Sequence, residues 1–247
     1  MTDGLLLLHA FPVDASMWQP QVEALGQQLT IVAPNYPGFG GEPPAGDVLT
    51  MDEAAEHAAA KVSAAGLARV VVCGLSMGGY VAFSFWRKFR ERVAGVVFAN
   101  TRAGADDDAA RERRRALAER LRAEGNGFLA DAPPPLLSSD ADASLWEQVK
   151  ETIRSQPAEA IAAASLGMAE RSDSTGDLAG IDVPTLVITS SADALIPPEA
   201  TTPMAEQIPN ARLEIIQGIG HLSNLEAAGE FTRLLRDHLI HVGSITR

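Results

Sequence analysis

Short apolar runs alternate with mixed segments along most of this chain. Leu5–Leu8, Thr30–Ala33, Val70–Cys73, Val93–Ala99, Thr185–Thr189 and Leu213–Ile216 are largely β-branched or aliphatic, the pattern of strands buried on both faces. Met17–Leu29, Met51–Ala65 and Gly79–Phe89 lie between them and have helical character. Strands alternating with helices imply right-handed crossovers, and so an α/β architecture with a mostly parallel β-sheet flanked by helices. Ligands of such sheets gather beyond the carboxyl ends of the strands.

From Thr101 to about Gly176 this rhythm stops. No strand is predicted there, only helical stretches near Asp106–Glu124, Leu145–Ser155 and Ala158–Arg171. The expected organisation is a core built from residues 1–100 and 177–247, interrupted by a helical cap over 101–176. Asp106-Asp107-Asp108 opens the first cap helix, and Arg111, Arg113, Arg114 and Arg115 follow. Acids near the positive helix end and bases beyond it read as a solvated, dipole-matched face rather than an anion-binding patch. Pro133-Pro134-Pro135 cannot continue a helix and predicts a corner within the cap.

Composition narrows the function classes. The 247 residues are 46% hydrophobic, ordinary for a packed core. A formal net charge of −12 argues against nucleic-acid and anionic-membrane partners. Cys73 is the single cysteine, so no internal disulfide forms; its apolar run predicts a small buried residue in a reducing compartment. Met1-Thr2-Asp3-Gly4 carries no basic signal region and Leu5–Leu8 is too short for a signal core or a membrane span, so a cytoplasmic address is expected.

The chemistry concentrates in three loops. Gly74-Leu75-Ser76-Met77-Gly78 joins the run Arg69–Cys73 to the helical pattern from Gly79, placing one serine where a strand turns sharply into a helix. A serine hydroxyl is a weak nucleophile until a base takes its proton. Asp193 stands just past the strand Thr185–Thr189, and His221, in Gly218-Ile219-Gly220-His221, just past Leu213–Ile216. Both therefore arrive at the elbow's edge of the sheet, in the chain order Ser76, Asp193, His221.

With His9-Ala10-Phe11-Pro12 after the first strand, these motifs resemble the α/β-hydrolase fold superfamily, in its short, capped serine esterase and lactonase branch. The resemblance covers nearly the whole chain. It implies Ser76 as nucleophile, His221 as general base, Asp193 as the acid that orients it, and the backbone N–H groups of Phe11 and Met77 as oxyanion donors. It implies no cofactor and no metal; His57, His238 and His241 show no ligand spacing. His9 is expected to brace its loop. Structural rivals are close helix packing for Gly74 and Gly78, a helix cap for Asp193 near Pro198–Glu206, and a surface role for His221. The other acid position of this fold, after Val93–Ala99, holds the neutral Asn100.

The chain departs from the family pattern twice. Ala10 stands where relatives carry glycine, and a Cβ there disfavours positive φ, which predicts a slightly altered oxyanion loop. The usual N-terminal strand pair is missing before Leu5, which leaves a sheet edge exposed, covered by a helix, or paired in a homodimer.

Serine at position 76 sets the chain apart from the dehalogenase and epoxide hydrolase branches, which resemblance would give an aspartate there. Phe11, Trp18, Met77, Leu195, Ile196 and Leu222 from the core, with Leu136, Leu137, Leu145, Trp146, Leu166 and Met168 from the cap, are expected to line the pocket. Such a slot suits carboxylic esters with small to medium apolar acyl groups. The partner implied is a small-molecule ester or lactone. Arg102, at the start of the cap, is placed either against a substrate carboxylate, as an enol-lactonase would need, or in a structural ion pair. The alternatives to an esterase are that lactonase, a slow-turnover ligand-binding or signalling homologue, and a perhydrolase.

Overall fold

The computed structural model describes residues 3–44 and 46–246. Strands β1 (Asp3–Leu8), β2 (Ile31–Val32), β3 (Arg69–Leu75), β4 (Val93–Ala99), β5 (Thr185–Ser190) and β6 (Ala211–Ile216) form one sheet in the order β2-β1-β3-β4-β5-β6. Every pairing among the described residues is parallel, so the sheet expected to be mostly parallel is wholly so. Leu5–Leu8, Val70–Cys73 and Val96–Ala99 are buried, as strands covered on both faces must be.

The chain runs from β1 outward to β2 and then returns to place β3 on the other side of β1. That reversal is a topological switch point, and the loops leaving β1 and β3 diverge there to open a crevice. Phe11 follows β1 and Ser76 follows β3.

Helices α1 (Gln19–Leu25), α2 (Met51–Ala64) and α3 (Met77–Phe89) connect the first four strands. A reciprocal capping box between Thr50 and Glu53 starts α2. Helix α3 buries Met77 through Trp86 without interruption and packs on β1, β3 and β4, so it is a core helix rather than an amphipathic one. Between β4 and β5 lie α4 (Asp108–Glu124), α5 (Gly127–Asp131), α6 (Ala143–Ser155) and α7 (Ala158–Ala169), with α4 packed on α7. The short α5 was not expected; its five residues carry too little periodicity to be read. Helices α8 (Pro198–Gln207), α9 (Ser223–Glu226) and α10 (Ala228–Val242) complete the element order.

One edge of the sheet is β2, which among the described residues pairs through Leu5–Ile31 and Leu6–Val32. A very short edge strand offers little for another chain to extend. No helix among the described residues is long and apolar enough to cross a membrane. Cys73 is buried, and burial pushes its thiol up in pKa, away from the reactive thiolate.

Candidate active site

Ser76 follows β3 directly, with φ 57° and ψ −116°, a positive-φ conformation that non-glycine residues rarely hold. Its neighbours keep it there. The Ser76 N–H donates to the Ala99 carbonyl (3.0 Å), while the Ser76 carbonyl accepts from the Gly79 N–H (2.9 Å) and the Thr101 hydroxyl (2.8 Å). The flanking glycines are required by close approach. A Cβ at Gly74 would run into the Gly78 carbonyl, and one at Gly78 into the Leu8 carbonyl of β1. Close packing and the elbow are thus one feature, since the helix must start this near the sheet to turn the serine outward.

Asp193 is buried and accepts four hydrogen bonds. Oδ1 takes the N–H groups of Leu195 and Ile196, both at 2.9 Å, while Oδ2 takes the Asn100 amide at 2.9 Å and His221 Nδ1 at 2.8 Å. Burial alone would raise its pKa. The hydrogen bond and charge of His221, the Ile196 N–H and the Asn100 amide outweigh that and hold the carboxyl below the usual range. An ionised carboxylate only accepts, so Nδ1 of His221 carries a proton, and in the neutral imidazole that tautomer leaves the lone pair on Nε2.

Ser76 and His221 line the same cavity, of about 380 Å³. Among the described hydrogen bonds none links Ser76 Oγ to the imidazole; in unliganded sites such bonds are often long and tighten only when a substrate binds. The N–H groups of Phe11 and Met77 likewise have no acceptor among the described residues. Met77 is the first residue of α3, where a helix leaves its donors unpaired and favours negative charge.

The loop after β1 is held by His9. Its Nδ1–H donates to the Ala10 carbonyl (3.0 Å), its Nε2 accepts from the Tyr36 N–H (3.3 Å), and its ring lies 4.0 Å from that of Tyr36. Burial lowers its pKa to about 4, with the Ala10 carbonyl and Asp14 opposing, so the ring is neutral near pH 7. Ala10 does not disturb this loop in the way expected. Ser76 and Asn100 are the positive-φ non-glycine residues among those described, so Ala10 keeps an ordinary φ that a Cβ tolerates.

Asn100 also escaped the reading from sequence, where it registered only as a missing acid. At φ 44° and fully buried, it donates to Asp193 and to Ser190 Oγ (3.1 Å) and accepts from Ser223 Oγ (2.6 Å). A second unforeseen residue is Glu226, which accepts from Gly220 N (3.0 Å), Ser138 N (2.9 Å) and the Ser138 hydroxyl. With the Leu222 N–H donating to the Leu136 carbonyl (2.8 Å), it fastens the His221 loop to the segment before α6.

Of the expected pocket residues, Phe11, Arg102, Leu136, Met168, Leu195 and Ile196 line the cavity. Trp18, Met77, Leu137, Leu145, Trp146, Leu166 and Leu222 do not. Trp18 is buried against Phe231, Trp146 packs on the hydrophobic core, and Leu222 is fully buried beside His221. In each case size and hydrophobicity favoured burial over a place on the cavity wall.

The arginine-rich helix also differs from the expectation of a solvated face. Its residues Ala110, Arg113, Arg114 and Leu117, spaced i, i+3, i+4, i+7, form one wall of the cavity. Arg111 and Arg115 face away and pair with Asp108 and Glu112. Asp107 caps α4 through the Ala110 N–H (2.7 Å), whereas Asp106 is buried between Arg102, Arg114 and Arg171. Arg102 is therefore in an ion pair and on the cavity wall at once. A second cavity of about 330 Å³ lies across Tyr80, lined by residues including Asp52, Arg87 and Glu170, and holds no histidine. Among the described residues no group of His, Cys, Asp and Glu is arranged to hold a metal ion.

Residues 5–234 match the model of the alpha/beta hydrolase family. Among solved structures, the chain is similar to a thermophilic esterase from Thermogutta terrifontis with malate bound, at 40% identity, 98% coverage of this chain and 90% of that one, and TM-score 0.94. It is also similar to the enol-lactonase from Burkholderia xenovorans, at 27% identity, 97% and 92% coverage, and TM-score 0.88. Among sequence relatives, 3-oxoadipate enol-lactonase 1 of Acinetobacter baylyi is 27% identical over 238 residues, 94% of this chain and 86% of that protein.

Proposed function

The chain belongs to the alpha/beta hydrolase family and is a hydrolase; on that premise we propose that it cleaves carboxylic esters through an acyl-enzyme on Ser76. Ser76 Oγ attacks the ester carbonyl while its proton passes to Nε2 of His221, whose other nitrogen is held by Asp193. The oxyanion is met by the N–H groups of Met77 and Phe11, each such donor contributing about 3 kcal/mol in comparable sites. The tetrahedral adduct collapses, and the departing alcohol takes the proton from Nε2. Water repeats the sequence on the acyl-enzyme and releases the acid.

The observation that carries this reading is the 2.8 Å bond by which a fully hydrogen-bonded Asp193 holds His221, which lines the same cavity as Ser76. The test is steady release of p-nitrophenol from short acyl esters. Ser76→Ala is expected to lower kcat about 10⁴-fold or more with the fold intact, and a fluorophosphonate adduct is expected on Ser76. Labelling without steady turnover would point instead to a slow-turnover binding protein.

A second reading, opening of a lactone by the same residues, is favoured by Arg102 on the cavity wall and by enol-lactonases among the similar proteins. Both reactions break an acyl–oxygen bond. Turnover of lactones without turnover of open-chain esters separates them.

A further inference from the structure

The cavity that holds Ser76 and His221 has one wall that an uncharged ester does not need. Asp106, its side chain fully buried, is met by Arg102 Nη2 (2.5 Å) and Arg171 Nη1 (2.9 Å) on Oδ1 and by Arg114 Nε (2.5 Å) on Oδ2. Three guanidinium charges thus face one carboxylate, in a chain whose formal net charge is −12. Arg171 sits behind, 4% exposed, with its guanidinium 4.1 Å over the Tyr80 ring. Arg102 and Arg114 are 36% and 22% exposed and line the cavity. Arg113, also on the wall, has no carboxylate in ion-pair range among the described residues. The two Nη groups of Arg114 find no acceptor there either.

One arginine would neutralise Asp106. Three leave excess positive charge beside the reacting groups, and an uncharged substrate entering the cavity would strip water from guanidinium groups without replacing it. A carboxylate matches the planar donor fork of arginine and restores those hydrogen bonds. Phe11, Pro134, Leu136, Leu195, Ile196 and Met168 give the wall an apolar part, and Tyr80 is also on it.

We infer that the substrate is an ester or lactone that also bears a free carboxylate, bound by Arg102, Arg113 and Arg114 while an aliphatic spacer lies on the apolar wall. This rests on the reading of the cavity as the substrate site and deepens it. Asp106 then serves as a positioning residue, clamping Arg102 and Arg114 so that their free donors face inward.

The test compares 4-nitrophenyl hydrogen glutarate with its neutral methyl ester, and butyryl glycolate with butyryl glycolamide, which puts the charge on the acyl or the alcohol side. In at least one pair the charged ester is expected to have a kcat/KM about tenfold or more higher at low salt, the margin shrinking as ionic strength rises. Arg114→Gln is expected to cut that margin about tenfold, chiefly through KM. Arg113→Gln, at an exposed position without an ion pair, is expected to reduce it less and serves if Arg114→Gln fails to fold. Neutral esters turned over as well as charged ones in both pairs, at all salt concentrations, would overturn the inference.

A second readout is independent of turnover. Glutarate, and not glutaramide, is expected to raise the Tm of Ser76→Ala, an effect lost in Arg114→Gln. No shift with glutarate, or a larger one with inorganic phosphate, overturns the carboxylate assignment. If the unsubstituted protein hydrolyses none of these esters while the glutarate shift is present, only the catalytic reading is overturned.

Discussion

Replacing Asp193 with asparagine keeps the shape of the side chain and turns one acceptor oxygen into a donor nitrogen. The wild-type carboxylate accepts four bonds, two from main-chain N–H groups at Oδ1 and two from Asn100 and His221 at Oδ2. An amide nitrogen placed at the Oδ1 site would confront both Leu195 and Ile196 N–H groups. At the Oδ2 site it confronts only the Asn100 amide, provided the imidazole gives up its Nδ1 proton and accepts instead. The second arrangement strands fewer donors, so the imidazole proton moves to Nε2, the nitrogen that must receive the proton of Ser76. The expected loss in kcat is about 10⁴-fold, or about 5 kcal/mol of transition-state stabilisation. The stranded Asn100 donor costs about 1–3 kcal/mol of folding stability. Stopped-flow p-nitrophenol release at about pH 7.5 reads the first, urea unfolding the second, and fluorophosphonate labelling of Ser76 is expected to slow in parallel. A folded Asp193→Asn protein within about tenfold of wild-type kcat would refute the assignment of Asp193 as the group that sets the tautomer.

Glu226→Ala removes the acceptor shared by Gly220 and Ser138 and frees the loop that carries His221, so kcat is expected to fall about tenfold with a smaller change in KM, read by steady-state kinetics. Acid destabilisation is a further expectation. Burial lowers His9 and His238 to about 4, in His238 with help from the charges of Arg212 and His241. Unfolded histidine binds its proton near pH 6.5, so between pH 6.5 and about 4 the unfolded chain holds more protons and stability drops as pH falls, by about 3 kcal/mol for each ring below that window. Urea midpoints measured across this range check the sign. His238→Phe, which removes two ring nitrogens that find no partner in the structure, is expected to flatten the curve.

The parts that were legible from sequence share a cause. Strands of a doubly covered parallel sheet are continuous apolar runs, so Val93–Ala99 was placed to the residue and Leu5–Leu8 short only at its start. Ser76, Asp193 and His221 stand out because each lies in the loop or turn just after such a run, which puts them at one edge of the sheet whatever the helices do. What was not legible depends on which way a helix faces. The residues of α4 alternate between solvent and cavity within a few positions, and the acid run before it divides the same way: Asp106 buried, Asp107 capping and Asp108 exposed. No local pattern separates the three carboxylates; burial beneath Arg171 does. Asn100 was hidden for a related reason, because its partners Ser190, Asp193 and Ser223 lie about ninety or more residues away and meet it only across the sheet.

The fastening of the His221 loop bears on how this protein can be remodelled. Glu226 grips Ser138 and Gly220, the Leu222 N–H grips Leu136, and a Cβ at Gly220 would strike the backbone at Leu137 and Ser138. The stretch around Leu136–Ser138 is therefore a fixed hinge post of the catalytic frame, although it belongs by sequence to the insertion. A transplant that exchanges the whole insertion for one of new specificity removes the anchor of the His221 loop along with the old cavity wall. Grafts spliced on either side of that stretch, leaving 136–138 in place opposite Glu226, keep the imidazole aligned while the surrounding helices are replaced.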